Sequence, residues 1–379
     1  MLVDLHAHYP MHLVPPEQAD TQAAVTAPHP RARWKASLIH LLSRRLNYQG
    51  PKGAPSVTVE LMREGDVGAA LSVLYSPLDE MDLRLSYGAP PRSGYIRSVF
   101  EQIKLVEDRV RAEPLGATVA HDPAALDAAI ADGRTAIVHC MEGGFALGST
   151  PAEIDANVTE LARRGVAYVT LAHLFWRGVA TNAPALPFMP DWLYRLVFTQ
   201  PRVGLTELGT AAARAMVRER VLVDIAHMTD RAIADTFATV GPDAPVIASH
   251  MACRFGKLSY NLSDDVIREV GRRGGVMGVI ACKRYTESGL RRDRKVKTFE
   301  DSMELLFAHV DHIAQVTGSH DHAAIGSDLD GWIKPALPGL EHLGRMRYVQ
   351  DALAAKYGAE VAEKISSANL IALLRRAWR

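Results

Sequence analysis

Short runs of Val, Ile, Leu and Ala recur along the chain, and between them apolar residues fall at helical spacing. Eight runs read as strands, near Leu2–Leu5, Val67–Leu74, Thr135–His139, Ala167–Ala172, Val221–Ile225, Pro245–Ser249, Val276–Ala281 and Ala323–Gly326. They are continuously apolar rather than alternating, as expected of strands covered on both faces. Thr206 is placed to cap a helix through Arg220, Ser263 with Asp264 another through Arg273, and Thr298–Val316 has a helical repeat. Met346–Arg379 reads as two closing helices. Strand and helix in repeated alternation predict an α/β chain: one (β/α)8 TIM barrel domain over residues 1–379, with insertions in its βα loops.

Three insertions break the rhythm, at about 9–56, 75–94 and 183–203. The first contains a basic helical segment, Arg33–Leu46, and the third holds Phe188, Trp192, Tyr194 and Phe198. Each follows a strand, on the side where a barrel builds its active site. A lid, a hydrophobic substrate wall and a contact with a second copy are all open for them.

Composition narrows the partners. Among 379 residues, 43 Lys and Arg balance 43 Asp and Glu, so no global field draws the chain to nucleic acid or an anionic membrane. The basic runs Arg31–Arg45 and Lys283–Lys297 read as solvated insertions. Cys140, Cys253 and Cys282 are odd in number and scattered, which argues against a disulfide framework. Candidate chemistry begins at the sixth residue, no signal peptide fits ahead of it, and no apolar run is long enough for a bilayer. A cytoplasmic protein acting on a small molecule is expected.

The strand ends carry the chemistry. Val3-Asp4-Leu5-His6-Ala7-His8 ends an apolar run in His-x-His, and in extended backbone residues two apart point the same way. Chance alone supplies roughly 0.6 such pairs in a chain with 15 histidines, so the motif is weak by itself. A second copy, His320-Asp321-His322, precedes the last strand and would sit on the wrong face of a barrel. Stronger support comes from Glu142 ahead of two glycines, and from two apolar runs ending in His227 and His250. Imidazoles and carboxylates without thiolates suit zinc, and a single Glu could bridge two cations. His139 and Cys140 read as packing groups or supports. A carboxylate can take a proton from metal-activated water and pass it to a leaving group; Asp328 is the candidate, with Asp330 holding its loop.

With these residues in place, the chain resembles the membrane (renal) dipeptidase family of the amidohydrolase superfamily, in order from Val3 to the C-terminal helices. The motifs carrying the resemblance are Glu142-Gly143-Gly144, Tyr168 to His173, Gly204-Leu205-Thr206 with Gly209, Asp224-Ile225-Ala226-His227, Pro245 to His250, Asn261 with Asp264-Asp265, and Gly326 to Gly331. The resemblance implies two zinc ions bridged by Glu142, one held by His227 and His250, the other by His6 and His8. It also implies that His173 polarises the scissile carbonyl or stabilises the oxyanion, and that Asp328 shuttles the proton. Family members often pair, so a homodimer is a further expectation.

Two positions depart from the family pattern. His8 stands where an Asp is usual, exchanging an anionic ligand for a neutral one. Tyr260 stands before Asn261 where an arginine usually grips the substrate's carboxylate, and a phenol cannot replace a guanidinium fork. Arg254, Lys283 and Arg284 are the alternative cations for substrate. The first expectation is a zinc-dependent hydrolase of an amide bond in a dipeptide or N-acyl amino acid. Its rivals are the same site acting on a lactone, ester or other small carbonyl compound, and a non-catalytic barrel that only binds a metal or ligand.

Overall fold

Parallel strands cannot be joined by tight turns, so each apolar run is followed by a crossover that returns the chain to the start of the next strand. The structure, a computed structural model, describes residues 1–13, 54–80, 82, 85–113, 115–290, 295–331 and 336–379. Its strands are β1 (Leu2–Ala7), β2 (Val67–Leu74), β3 (Thr118–Ala120), β4 (Ala136–Glu142), β5 (Tyr168–Thr170), β6 (Leu222–Asp224), β7 (Val246–Met251), β8 (Met277–Val279) and β9 (Ala323–Ile325). They lie in the order β1-β2-β4-β5-β6-β7-β8-β9, and each neighbouring pair is parallel. Past β9 the chain turns back on β1. The amide of Asp328 donates to the carbonyl of His6 at 2.8 Å, and that of His8 to Leu329 at 2.9 Å. This nearly closed eight-stranded barrel is the expected (β/α)8 architecture, and its closing seam brings Asp328 beside the first strand's histidines.

A ninth strand was not expected. β3 pairs with Ala136–Val138 of β4, whereas β5 pairs with Met141 and Glu142 further along. Three residues, Thr-Val-Ala, are too few to show a period. Three boundaries also move toward the site: β1 runs on through His6 to Ala7, β4 to Glu142, and β7 through His250 to Met251.

Helix starts follow capping chemistry. Thr206 accepts from the Gly209 amide ahead of helix Glu207–Glu219, and Arg220 ends that helix in left-handed backbone. Thr298 and Asp301 form a capping box on helix Phe299–Thr317. Ser263 precedes helix Asp264–Arg272 without a side-chain cap. The C-terminal segment is not two helices but Met346–Tyr357, Ala359–Glu363, a π turn Lys364–Ala368, and Asn369–Ala377. Leu370, Leu373, Leu374 and Trp378 of this last stretch pack with Val3, Leu5, Val138 and Leu222 of the strands. Truncating Leu374 to Ala there costs about 2–5 kcal/mol.

The basic helical segment Arg33–Leu46 and the run Arg31–Arg45 lie outside the described residues, as do residues 291–294 of the second basic run. In the third insertion, helix Asp191–Val197 is anchored by Tyr194 and Phe198, both buried against Phe175. Those two aromatics hold the insertion to the barrel. Trp192 and Leu196 are exposed on the same helix. Among the described residues, no helix is long and apolar enough to cross a membrane.

Candidate metal centre

Seven side chains from six strands or their C-terminal loops converge at the barrel mouth: His6, His8, Glu142, His173, His227, His250 and Asp328. The Glu142 carboxylate is at the middle. Its Oε1 is 3.4 Å from His227 Nε2, 3.6 Å from His250 Nε2 and 3.7 Å from His6 Nε2. Its Oε2 is 3.6 Å from His8 Nε2 and 3.2 Å from His173 Nε2. Asp328 Oδ1 lies 3.1 Å from His8 Nε2 and 3.7 Å from His6 Nε2. All seven residues are buried.

These atoms fit divalent cations. Donors around one tetrahedral zinc, each about 2.0–2.2 Å from it, stand roughly 3.3 Å apart. Two groups share Glu142, one with His6 and His8 and the other with His227 and His250; a third joins His6, His250 and Asp328. His6 Nε2 and Glu142 Oε1 are buried without a hydrogen-bond partner, a state that native interiors avoid unless an ion or water completes it. Burial raises the Glu142 carboxyl to about 7, lowers His227 to about 4, and holds His6 and His250 well below the ordinary imidazole range. Burial also acts to lower His8, but its hydrogen bond to Asp328 and the charges of Glu142 and Asp328 outweigh that and raise it.

Supporting groups set the tautomers. The Tyr168 hydroxyl donates to the Leu5 carbonyl at 3.0 Å and lies 2.7 Å from His6 Nδ1. It therefore accepts the Nδ1 hydrogen and leaves the Nε2 lone pair facing Glu142. Ser249 donates to Asp224 Oδ2 at 2.6 Å and lies 2.7 Å from His250 Nδ1, which gives His250 the same arrangement. Ligating histidines are typically oriented in this way. His250 Nε2 then meets His227 Nε2 at 2.8 Å, a position where a shared cation would replace one nitrogen's hydrogen.

Backbone strain is concentrated here. His227 and Asp328 have φ of 65° and 56°, in the left-handed region that non-glycine residues occupy at a cost of about 1–3 kcal/mol. Gly143, at φ 99°, supplies the sharp turn after Glu142 without that cost. Asp330 does hold its loop: its carboxylate accepts from the amides of Ser56 and Val57 at 2.9 Å.

Other candidate residues have local partners. Arg254 is bound to the Asp230 carboxylate and to the carbonyls of Asn261 and Ser259. Arg284 is tied to the carbonyls of Pro187 and Met189 and to Asp191, and Lys283 to the Val296 carbonyl. Asn261 is buried, donating to the carbonyls of Cys253 and Tyr285. In this structure all four make local contacts that tie their loops together. Tyr260 does line the pocket beside His227, Asp328 and His173. His139 faces Glu107 at 3.8 Å, and Cys140 is buried. His322 bonds the Gly275 carbonyl ahead of β9.

The structure adds Glu80 and Tyr75, which sequence reasoning missed. Glu80 is buried in the short helix Pro77–Glu80 after β2, and its Oε2 lies 2.7 Å from His173 Nδ1. The Tyr75 hydroxyl donates to the same oxygen at 2.6 Å, and the Phe175 amide donates to Oε1 at 2.8 Å. Burial alone would raise the Glu80 carboxyl, but the His173 charge and these hydrogen bonds outweigh it and lower it. Nothing in an acid within an insertion singles it out. Asp224, and Asp4, whose carboxylate accepts from the amides of His6 at 3.1 Å and Ser327 at 2.9 Å, did carry a signal, since each is a charge inside an otherwise apolar strand.

The membrane dipeptidase family (peptidase family M19) matches residues 3–378. An uncharacterized protein in the pqqA 5′ region of Klebsiella pneumoniae is 28% identical over 179 residues, 46% of this chain and 62% of that relative. The chain thus matches under two thirds of that relative's length. Dipeptidase tcpJ of Claviceps purpurea (strain 20.1) is 25% identical over 332 residues, 85% of this chain and 69% of that protein. A metallopeptidase from Rhodobacter sphaeroides, solved with a phosphinate mimic of the dipeptide L-Ala-D-Ala, shares the fold with a TM-score of 0.72 and 21% identity, covering 100% of this chain and 99% of that one. The probable dipeptidase PvdM from Pseudomonas aeruginosa has a TM-score of 0.65 and 19% identity, over 87% of this chain and 90% of its own. The family match spans nearly the whole chain and contains every residue of the centre: this protein belongs to the membrane dipeptidase family, peptidase family M19.

Proposed function

We propose that the protein is a metal-dependent hydrolase that cleaves the amide bond of a dipeptide-like substrate, with two zinc ions as its resident metals. The observation that carries this reading is the pair of buried donor groups sharing Glu142, flanked by two side chains that metal binding alone does not need. His6, His8 and Glu142 would hold one ion; Glu142, His227 and His250 the other. A divalent cation held there supplies Lewis acidity, lowering the pKa of water and polarising a carbonyl.

The chain's own residues do the rest. Asp328, 3.1 Å from His8 at the pocket edge, takes a proton from the attacking water and delivers it to the departing amine. His173 directs Nε2 into the centre while Glu80 holds Nδ1. Glu80 fixes the His173 ring so that Nε2 faces the point where the oxyanion would form. Exclusion of water by Tyr75, Tyr260 and Leu174 strengthens these interactions.

Steady-state hydrolysis of a dipeptide and amide panel by zinc-loaded protein, with Asp328→Asn alongside, tests this reading. Turnover that collapses in Asp328→Asn is expected. Absence of turnover across the panel at full metal loading would leave a binding barrel instead.

A further inference from the structure

The pocket beside the metal centre has a lining that bears on substrate. Besides the four site residues already described there, its walls are Tyr75, Leu174, Ala185, Tyr260 and Tyr285. None of the described lining residues is Lys or Arg. Each tyrosine hydroxyl is already committed: Tyr75 donates to Glu80 at 2.6 Å, Tyr260 to the His250 carbonyl at 2.7 Å, and Tyr285 to the Ala185 carbonyl. What these three residues present is ring surface. The Tyr260 ring lies 4.3 Å from that of Tyr285 and 5.1 Å from that of His227, and Tyr260 is buried.

A carboxylate entering such a space loses its water and gains no donor from these walls. Aromatic faces carry the negative part of the ring quadrupole and repel it further. Among the described residues, the cations close in sequence to this wall have other partners. Arg254 is held by the Asp230 carboxylate and by backbone carbonyls, the two terminal nitrogens of Arg284 by Asp191 and the carbonyls of Pro187 and Met189, and Arg195 reaches Ser259 Oγ at 2.8 Å on an exposed surface. A neutral, compact group loses little on entering and gains contact with Leu174, Ala185 and the rings.

We propose that this pocket takes an uncharged end of the substrate, that the enzyme prefers an amide whose carbon beside the scissile nitrogen bears no free carboxylate, as in a peptide amide, and that Tyr260 sets this preference. The inference rests on the amide-hydrolase reading. The reaction is the same hydrolysis: the hydroxyl of water joins the acyl carbon, the C–N bond breaks, and the remaining proton leaves on the amine.

The test uses matched ligands that differ only at that carboxylate: L-Ala-D-Ala and its C-terminal amide, with the L-Ala-L-Ala pair alongside. Zinc-loaded enzyme should show a kcat/KM at least tenfold higher for the amide in the better pair. Calorimetric titration of zinc-loaded Asp328→Asn should give tighter binding of the same member. Tyr260→Arg should reverse the ratio, and Tyr260→Phe, which keeps the ring and removes only the hydroxyl, should preserve it. Equal or better use of the free acid by the wild type overturns the proposal, and so does failure of both members to bind. Free-acid preference that disappears in Arg195→Ala overturns it too, by making Arg195 the anchor. Binding of the amide without turnover upholds the pocket assignment and refutes the hydrolase reading, so the two failures are distinct.

Discussion

Oε2 of Glu80 lies 2.7 Å from Nδ1 of His173, joining the loop after β2 to the loop after β5 across the barrel mouth. The carboxylate keeps the ring turned with Nε2 toward Glu142, 3.2 Å away. Glu80→Gln preserves shape and removes the charge. A fall in kcat on the order of 10–100-fold is expected, the usual cost of losing such a support, with KM little changed. Steady-state kinetics separate the two parameters. A KM effect with unchanged kcat would show that the pair shapes the pocket and does not assist the chemistry.

Asp328 stands at the seam where the chain after β9 meets β1, in a left-handed conformation. Asp328→Asn keeps the side-chain volume and removes the proton acceptor. A loss of about 10²–10⁴ in kcat is expected for a general acid–base group. Zinc content, read by elemental analysis on the same samples, should fall far less than on loss of Glu142.

In the proposed centre His8 would be a neutral ligand in a position where an anionic one would add attraction for a cation. His8→Asp should tighten zinc retention on the order of tenfold in competition with a chelator, a change of the size that perturbing a metal site brings. Unchanged or weaker retention would show that the imidazole reaches its ion better than the shorter carboxylate can.

His309 offers a test away from the metal centre. Its Nδ1 accepts the Cys253 amide at 3.0 Å and its Nε2 lies 3.0 Å from the Thr286 carbonyl, so only the neutral ring with hydrogen on Nε2 satisfies both. Burial lowers it from 6.5 to about 4. A base whose folded pKa is depressed binds its proton preferentially in the unfolded chain. Its contribution is intact above the unfolded value and drains away as pH falls from about 6.5 toward 4. Between pH 7 and pH 5 it accounts for about 2 kcal/mol of lost stability. Denaturant unfolding of His309→Gln should show a shallower acid limb than the wild type over that interval. Parallel limbs would assign the acid sensitivity to other groups.

Much of this was legible in the residue pattern, for identifiable reasons. His6, Glu142, His227, His250 and Asp328 each close or follow an apolar run, and a parallel barrel gathers such positions on one face whatever its loops do. Long helices with a capping Thr, such as those after Thr206 and Thr298, were equally readable. β3 was not, because three residues show no period. Glu80 was hidden because its value lies in a contact with His173, 93 residues away in the chain. The partners of Arg254, Lys283 and Arg284 were not legible either, because proximity in sequence to Tyr260 or β8 does not reveal their contacts with Asp230, Asp191 and backbone carbonyls.

Metal content tests the shared role of Glu142 most directly. Wild type and Glu142→Ala, each loaded with zinc and then dialysed, should be analysed for zinc per chain, with circular dichroism confirming that both remain folded. About two ions per wild-type chain are expected, with loss of at least one and marked weakening of the other in the variant, since one carboxylate serves both donor groups. One ion or none in the wild type, or two ions retained by folded Glu142→Ala, would contradict a centre bridged by Glu142.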